Sequence, residues 1–347
     1  MRYRSFGRGT GLRCSEIALG GALFGTAWGY GAPRDEVFRM LDAYGAAGGN
    51  FIDTSDSYQF GESETILGEY LARDRDAFVV ASKYTLGARM AGTPLSTGNS
   101  RRAMVLSVEE SLRRLRTDRI DLYWVHMPDG ETASEEIMRG LDDLAGAGKI
   151  LYAGFSDFPA WRVARAATMA ELRGWTPLIG IQIEYSLVER SADRELLPMA
   201  DALGLGVASW SPLGGGLLTG KYRRGEEGRA TGFGRVVHRE SDAIKTATMD
   251  ALIDVATELG VSPSQVALAW QIGRGITPIV GPRTTEQLHD NLGAAGVSLS
   301  DAQLRRLDAA SAIPLGFPHD FLADDAQRLS VKSGDDEWIV PPDRPVA

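Results

Sequence analysis

The strongest constraint on this chain is an alternation, repeated eight times, of short apolar runs with longer amphipathic stretches. The apolar runs are 17–20, 50–53, 77–82, 120–125, 152–155, 179–183, 207–209 and 277–280. Continuous runs this short fit strands covered on both faces, as a parallel sheet requires. Between them, helical spacing of apolar residues runs over about 35–47, 63–71, 100–116, 134–147, 160–172, 194–203, 243–259 and 263–273, and 285–292 begins the last repeat. Strands alternating with helices mean βαβ units. Eight such units predict closure into a (β/α)8 TIM barrel, an α/β fold, rather than an open sheet. Residues 2–14, with Gly7 and the Gly9-Thr10-Gly11 turn, read as a preceding β-hairpin able to plug the N-terminal face of the barrel. Gly214-Gly215-Gly216 and 223–235 read as loops, so 1–347 is expected to be one domain. From about 312 onward the periodic pattern fades. That stretch is expected to be a surface tail or a flap, with Phe317-Pro318-His319-Asp320-Phe321 near the barrel mouth.

Charge narrows the partners. A net charge of −9 with no basic stripe argues against nucleic acid. The densest cation cluster, Arg113-Arg114-Leu115-Arg116, falls late in a helix, where the macrodipole favours cations, and reads as a solvated helix end. There is no apolar run of about 18 residues, so no membrane span is expected. The start, Met1-Arg2-Tyr3-Arg4-Ser5, lacks the apolar core of a signal peptide. A single cysteine, Cys14, and four scattered histidines give no disulfide and no metal motif. A cytoplasmic setting is the simplest expectation, and a homo-oligomer stays open.

In a barrel of this kind the site lies where the strands end. The polar residues there are Asp53, Lys83, His126, Ser156-Asp157, Gln182 and Trp210-Ser211, with Tyr58 five residues past Asp53 in the same loop. Singly, each has a bland reading: Asp53 as a helix cap, Lys83 as a solvated charge, His126 as a core histidine, Tyr58 as a packed aromatic. Together they form a chemical set. Reduction of a carbonyl needs a proton on its oxygen. A tyrosine can give one if a nearby ammonium brings its pKa down from near 10. An aspartate would hold that lysine, and a histidine would orient the carbonyl.

Asp53-Thr54-Ser55-Asp56-Ser57-Tyr58, continued by Gly61-Glu62-Ser63-Glu64, resembles the Asp-x-Ala-x-x-Tyr signature of the aldo-keto reductases, with Ser55 where Ala is usual. Ser82-Lys83 and His126-Met127-Pro128-Asp129 are similar to that family's lysine and histidine motifs. The likeness covers the chain to about residue 310. It implies a catalytic tetrad of Asp53, Tyr58, Lys83 and His126, and the cofactor NADP(H). Gly154-Phe155-Ser156-Asp157-Phe158 is similar to the family's Gly-x-Ser-Asn-Phe segment, which holds the nicotinamide carboxamide; here Asp157 replaces Asn. A carboxylate accepts but does not donate unless protonated. By the same resemblance Gln182 is the third carboxamide ligand, Trp210 stacks on the nicotinamide ring, and Gly20, Gly21 and Ala22 touch its ribose. The run from Ser211, Pro212 and Leu213 through Gly216 to Lys221 and Tyr222 resembles the branch holding potassium-channel β subunits and bacterial aryl-alcohol-type reductases. Its glycines suit a pyrophosphate, with Arg229 or Arg235 as a further clamp. Gly281, Arg283, Gln287 and Asn291 match the adenosine end. There Arg283 and a helix N-terminus suit a 2′-phosphate. Leu23, Phe24, Trp28, Tyr30, Tyr84 and Met127 would ring the substrate, suggesting an apolar or aromatic aldehyde or ketone, or the matching alcohol. Two other readings compete: an NADP-binding redox-sensor subunit with little turnover, and a sugar or polyol dehydrogenase.

Overall fold

In the computed structural model, which describes residues 1–88, 95–225, 238–324 and 330, eight parallel strands close into a barrel. They are β3 Ala18–Gly20, β4 Phe51–Asp53, β5 Val79–Tyr84, β6 Ile120–Val125, β7 Ile150–Ser156, β8 Leu178–Glu184, β9 Gly206–Trp210 and β10 Thr277–Val280. Each pairs with the next, and β10 pairs with β3 to close the ring. The helices between them are α1 Arg34–Ala46, α2 Glu62–Leu71, α3 Arg101–Leu115, α4 Ser134–Gly146, α5 Ala160–Arg173, α6 Leu196–Leu203, α7 Ala243–Leu259, α8 Pro263–Gly273 and α9 Thr285–Gly293. The expected α/β barrel is therefore the fold.

Strand parity divides the barrel. Successive side chains on a strand point to opposite faces. Ala18, Phe51, Ala81, Leu122, Trp124 and Ala208 point inward and form the core inside the ring. Leu19, Ile52, Val80, Tyr123 and Val125 point outward and pack under the helices in a second, larger core. Two residues further along, the inward positions become Gly20, Asp53, Lys83 and Trp210. The barrel interior is thus apolar at its base and polar at its C-terminal rim.

The hairpin pairs β1 Tyr3–Ser5 with β2 Arg13–Ser15 and closes the base, as expected. Its Phe6 enters the ring edge-on to Phe51 and Trp124, with centroids 5.6 and 6.1 Å away. Glycines make room for it. A Cβ on Gly180 would lie 2.4 Å from the Phe6 ring, and one on Gly206 2.9 Å.

Three differences from the sequence reading have physical causes. The third strand runs over Val79–Tyr84 rather than 77–82, because Phe78 packs beneath Tyr70 instead of pairing. A tenth helix, α10 Asp301–Ser311, lies against α7 where no element was assigned; its signal was a Ser300/Gln303 capping box. The cluster at the end of α3 is not a uniformly solvated end. Arg113 is exposed, but Arg114 turns inward and donates from Nε to the buried Glu64 at 2.7 Å. The tail holds a short helix, α11 His319–Ala323, beside residues 194–195: Arg194 donates to Pro314 O at 3.0 Å, and His319 pairs with Glu195 at 2.9 Å. The described part of it, to residue 324, lines no part of the mouth, and Phe317 is exposed. No helix of the described residues is long and apolar enough to cross a membrane.

The base plug yields a prediction. Gly180→Ala forces a methyl into the Phe6 ring and toward the Gly206 carbonyl at 2.8 Å. Overpacking of this kind costs roughly 1–3 kcal/mol. Denaturant unfolding should show that loss, and Gly180→Ala combined with Phe6→Leu should recover part of it.

Candidate active site

The polar rim is organised around one ammonium. Lys83 Nζ, fully buried, donates to Asp53 Oδ2 at 2.5 Å, to the Thr54 carbonyl at 2.9 Å and to Tyr58 Oη at 3.2 Å. The other Asp53 oxygen accepts from Gln182 Nε2 at 2.8 Å. Three strand ends are tied together in this way. A charge buried like this persists only when paired and hydrogen-bonded on every side.

Tyr58 reaches the ammonium because the chain after β4 turns tightly. Gln59, Phe60 and Gly61 take left-handed φ values of 51°, 54° and 90°. Gln59 pays for that strain with three hydrogen bonds: Nε2 donates to Ala22 O and Tyr30 O, and Oε1 accepts from Trp28 N. Enclosure raises the Tyr58 pKa, Lys83 lowers it, and Asp53 and Asp157 raise it further, so the net direction is upward. The expectation that Lys83 brings the phenol down therefore holds only for one contribution. The phenol keeps its proton at neutral pH, as a donor must.

His126 stands edge-on to Tyr58, with ring centroids 5.9 Å apart. Enclosure and then the Lys83 charge hold its imidazole well below 6.5, so it is neutral. Its Nδ1 lies 3.2 Å from Ser55 Oγ. Ser55 stands where the signature usually has Ala, and sequence reading gave it no role. Its partner lies 71 residues away, which only the fold reveals.

A cavity of about 840 Å³ opens over these groups, within the usual size range of small-molecule sites. Its inner end is made by Asp53, Tyr58, His126, Ser156, Asp157, Gln182 and Trp210. Asp157 takes a left-handed φ of 57° and accepts from Trp210 Nε1 at 3.0 Å. From there the cavity passes Ser211, Pro212, Leu213 and Gly216 to Lys221, then Gly281, Arg283, Gln287 and Asn291. Gly214, Gly215 and Gly216 all have positive φ, and a Cβ on Gly216 would crowd Lys221 Nζ at 3.2 Å. These residues fit a dinucleotide: a string of glycine backbone between a polar inner end and the cations Lys221 and Arg283. Gly20, Ala22, Leu23, Trp28, Tyr30 and Met127 also line it.

Three assignments land elsewhere. Tyr84 directly follows the inward Lys83, so strand parity turns it outward, where it stacks on Tyr123 at 5.5 Å. Phe24 is fully buried in the outer core. Gly21 lies behind the wall, its carbonyl accepting from Ser63 Oγ at 2.7 Å. At the N-terminus of α9 the first amide is taken by a carboxylate, Glu36 accepting from Thr285 N at 2.6 Å and from Thr285 Oγ1 at 2.9 Å, while Glu286 and Gln287 of the same turn line the cavity. Arg283 does reach the cavity, 4.4 Å over the Tyr30 ring. Arg229 and Arg235 lie outside the described residues. Sequence reading missed Ser262, Pro263 and Ser264, which line the outer end at the start of α8. Their only signal was a Ser-Pro helix start, which carries no hint of a ligand.

The model described as "Aldo/keto reductase family" matches residues 16–312. Among curated proteins, norsolorinic acid reductase of Aspergillus flavus is 36% identical, covering 92% of this chain and 84% of its own. Aryl-alcohol dehydrogenase [NADP(+)] of Phanerodontia chrysosporium is 37% identical, covering 92% and 88%. An aryl-alcohol dehydrogenase of Pestalotiopsis microspora is 33% identical, covering 92% and 85%.

Under the Tyr58 loop lies a second carboxyl whose titration can be tested. Asp56 is buried, accepts from Ser107 Oγ at 2.7 Å, and is pushed up from 3.8 to about 7, chiefly by burial and then by Glu64. A carboxyl raised on folding binds more protons folded than unfolded, so its contribution to stability falls as pH rises through that window. Asp56→Asn should therefore gain stability relative to wild type as pH rises from about 4 to about 7 and level off above it. Thermal melts of both proteins across pH check this; a difference independent of pH refutes it.

Proposed function

The chain belongs to the aldo/keto reductase family, and from that premise we propose that Tyr58, Lys83, Asp53 and His126 carry its chemistry. The activity is NADPH-dependent reduction of an aldehyde or ketone to the alcohol, reversibly, by an NAD(P)-dependent oxidoreductase. In sum, carbonyl, NADPH and one proton give alcohol and NADP⁺. The observation that carries the assignment is the chain Asp53–Lys83–Tyr58, with contacts of 2.5 and 3.2 Å at the floor of the cavity.

When bound, the cofactor supplies the hydride to the carbonyl carbon. The protein supplies the rest. The carbonyl oxygen sits between Tyr58 Oη and His126 Nε2. Tyr58 donates its proton as negative charge develops on that oxygen, and Lys83 stabilises the phenolate left behind. Asp53 keeps the lysine charged and in place. His126 is neutral and orients the oxygen without adding a charge, while Ser55 holds its other nitrogen. The tetrad and the cofactor residues Ser156, Gln182, Trp210, Lys221, Arg283 and Asn291 act as one groove. Arg283 supplies the preference for a 2′-phosphate.

The substrate is an aromatic aldehyde or ketone, or the matching benzylic alcohol. Leu23, Trp28, Tyr30 and Met127 give the mouth an apolar, aromatic wall. Relatives named for aryl alcohols support that choice. The relatives reported above are named reductases or dehydrogenases, and no observation favours the redox-sensor or sugar dehydrogenase readings. Cys14, buried and pushed up to about 12 by burial, is an inert thiol. An unpaired thiol and a reductive activity both suit the cytoplasm.

Tyr58→Phe should lower kcat/KM for an aromatic aldehyde by about 10²- to 10⁴-fold while the Kd for NADPH stays within about threefold. Following loss of reduced-nicotinamide absorbance, with binding measured separately, checks both. Wild type should prefer benzaldehyde-type substrates to open-chain sugars by at least about tenfold. A Tyr58→Phe variant as active as wild type refutes the mechanism. A wild type that binds NADPH but turns over no carbonyl of a broad panel refutes the enzyme reading.

A further inference from the structure

We infer that Asp157 is a charge-selecting residue, whose carboxylate makes the inner end of the cavity hold the oxidised, cationic nicotinamide cofactor more tightly than the reduced, neutral one. The inference rests on the cofactor placement proposed above and concerns a role that the tetrad does not supply.

The residue is built into the rim. It follows β7 directly, its backbone N–H donates to Gln182 O at 3.0 Å, and its left-handed φ of 57° turns the side chain toward the cavity. Both oxygens are held: Oδ1 accepts from Trp210 Nε1 at 3.0 Å and Oδ2 from Ser156 Oγ at 3.4 Å. Ser156, Trp210 and Gln182 are the residues assigned to the nicotinamide end. The carboxylate is therefore fixed at the end of the cavity proposed for the nicotinamide, with its side chain open to that cavity.

Its charge is not cancelled locally. On β5, the Lys83 ammonium is neutralised by Asp53 of β4 in direct contact. In the β4–α2 loop, Tyr58 is neutral, and at the end of β6 His126 is neutral as well. At the end of β8, Glu184 pairs with His238 at 2.9 Å and adds further negative character. The inner end thus carries the excess negative charge of Asp157. A neutral Asn at this position still accepts from Trp210 Nε1 through its one oxygen, while its amide N–H would donate to Ser156 Oγ instead of accepting from it, and it carries no charge. A carboxylate a few ångströms from a pyridinium, with water displaced by the ligand, favours the cation on the order of tenfold over the neutral ring.

The preference also depends on pH. Enclosure, the first cause, and Glu184 push the Asp157 carboxyl up, while the bonds from Trp210 and Ser156 and the Lys83 charge pull it down, leaving it at about 6. The selecting charge is present above that pH and lost as pH falls through it. The cationic ring itself stabilises the carboxylate, so in its complex the loss comes at lower pH.

The test measures the Kd values of NADP⁺ and of NADPH separately, by quenching of tryptophan fluorescence, for wild type and Asp157→Asn across about pH 5 to 8. Both cofactor forms share the same phosphates, so the ratio of the two constants cancels phosphate titration. The ratio Kd(NADPH)/Kd(NADP⁺) should fall about tenfold in Asp157→Asn at pH 8, mostly through weaker NADP⁺ binding. In wild type it should fall as pH drops through about 6, and in the variant it should stay flat. A ratio unchanged by the substitution, or the same pH dependence in both proteins, overturns the inference alone. Wild type binding neither form overturns it together with the proposed function. If Asp157→Asn does not fold, the wild-type pH dependence decides, and a ratio constant across the range refutes it.

Discussion

The site depends on a single buried ammonium. Lys83 is fully enclosed and would be too costly to hold charged without Asp53, the Thr54 carbonyl and Tyr58 around it. Meeting that demand fixes the geometry of everything nearby. The ends of β4, β5 and β8 must converge, because Asp53, Lys83 and Gln182 form one bonded chain. The loop after β4 must curl back through left-handed residues so that the phenol arrives at the ammonium. The requirement that places the lysine is also the one that places the proton donor.

Around that centre the barrel is polarised along its axis. The base is closed by Phe6 seated on two glycines, against Phe51 and Trp124. The rim is polar because the inward positions there are Asp53, Lys83, Ser156, Gln182 and Trp210. Stability and chemistry are thereby separated to opposite ends of the same strands.

A second network lies outside the strands, under the catalytic loop. Glu64 on α2 is fully buried, accepting from Ser82 Oγ at 2.5 Å and from Arg114 Nε at 2.7 Å. Asp56 hangs from the loop itself and is bonded to Ser107 on α3. The turn that carries Tyr58 is thus anchored from the helix side as well as from the barrel side. This accounts for Arg114 leaving the solvent: a buried glutamate needs a cation more than the helix end does.

Much of the fold was legible in the residues. Eight apolar runs of strand length alternating with helical stretches leave few architectures, and two runs, 120–125 and 277–280, match β6 and β10 residue for residue. Asp53, Tyr58, Lys83 and His126 were legible because each is a polar residue at or just past a strand end, where a barrel has little other use for it. Tyr84 could have been excluded by parity alone, since Lys83 before it points inward. Other features were not readable, because they depend on partners far away in the chain. Ser55 meets His126, Trp210 meets Asp157, Glu36 takes the α9 amide and Arg114 meets Glu64 only after the barrel closes. Local sequence determined the elements, their order and the kinds of chemical group at their ends, because periodicity and residue type are local properties. The protonation states and the orientation of those groups were decided by the tertiary structure, because burial and long-range contacts set the field around each one.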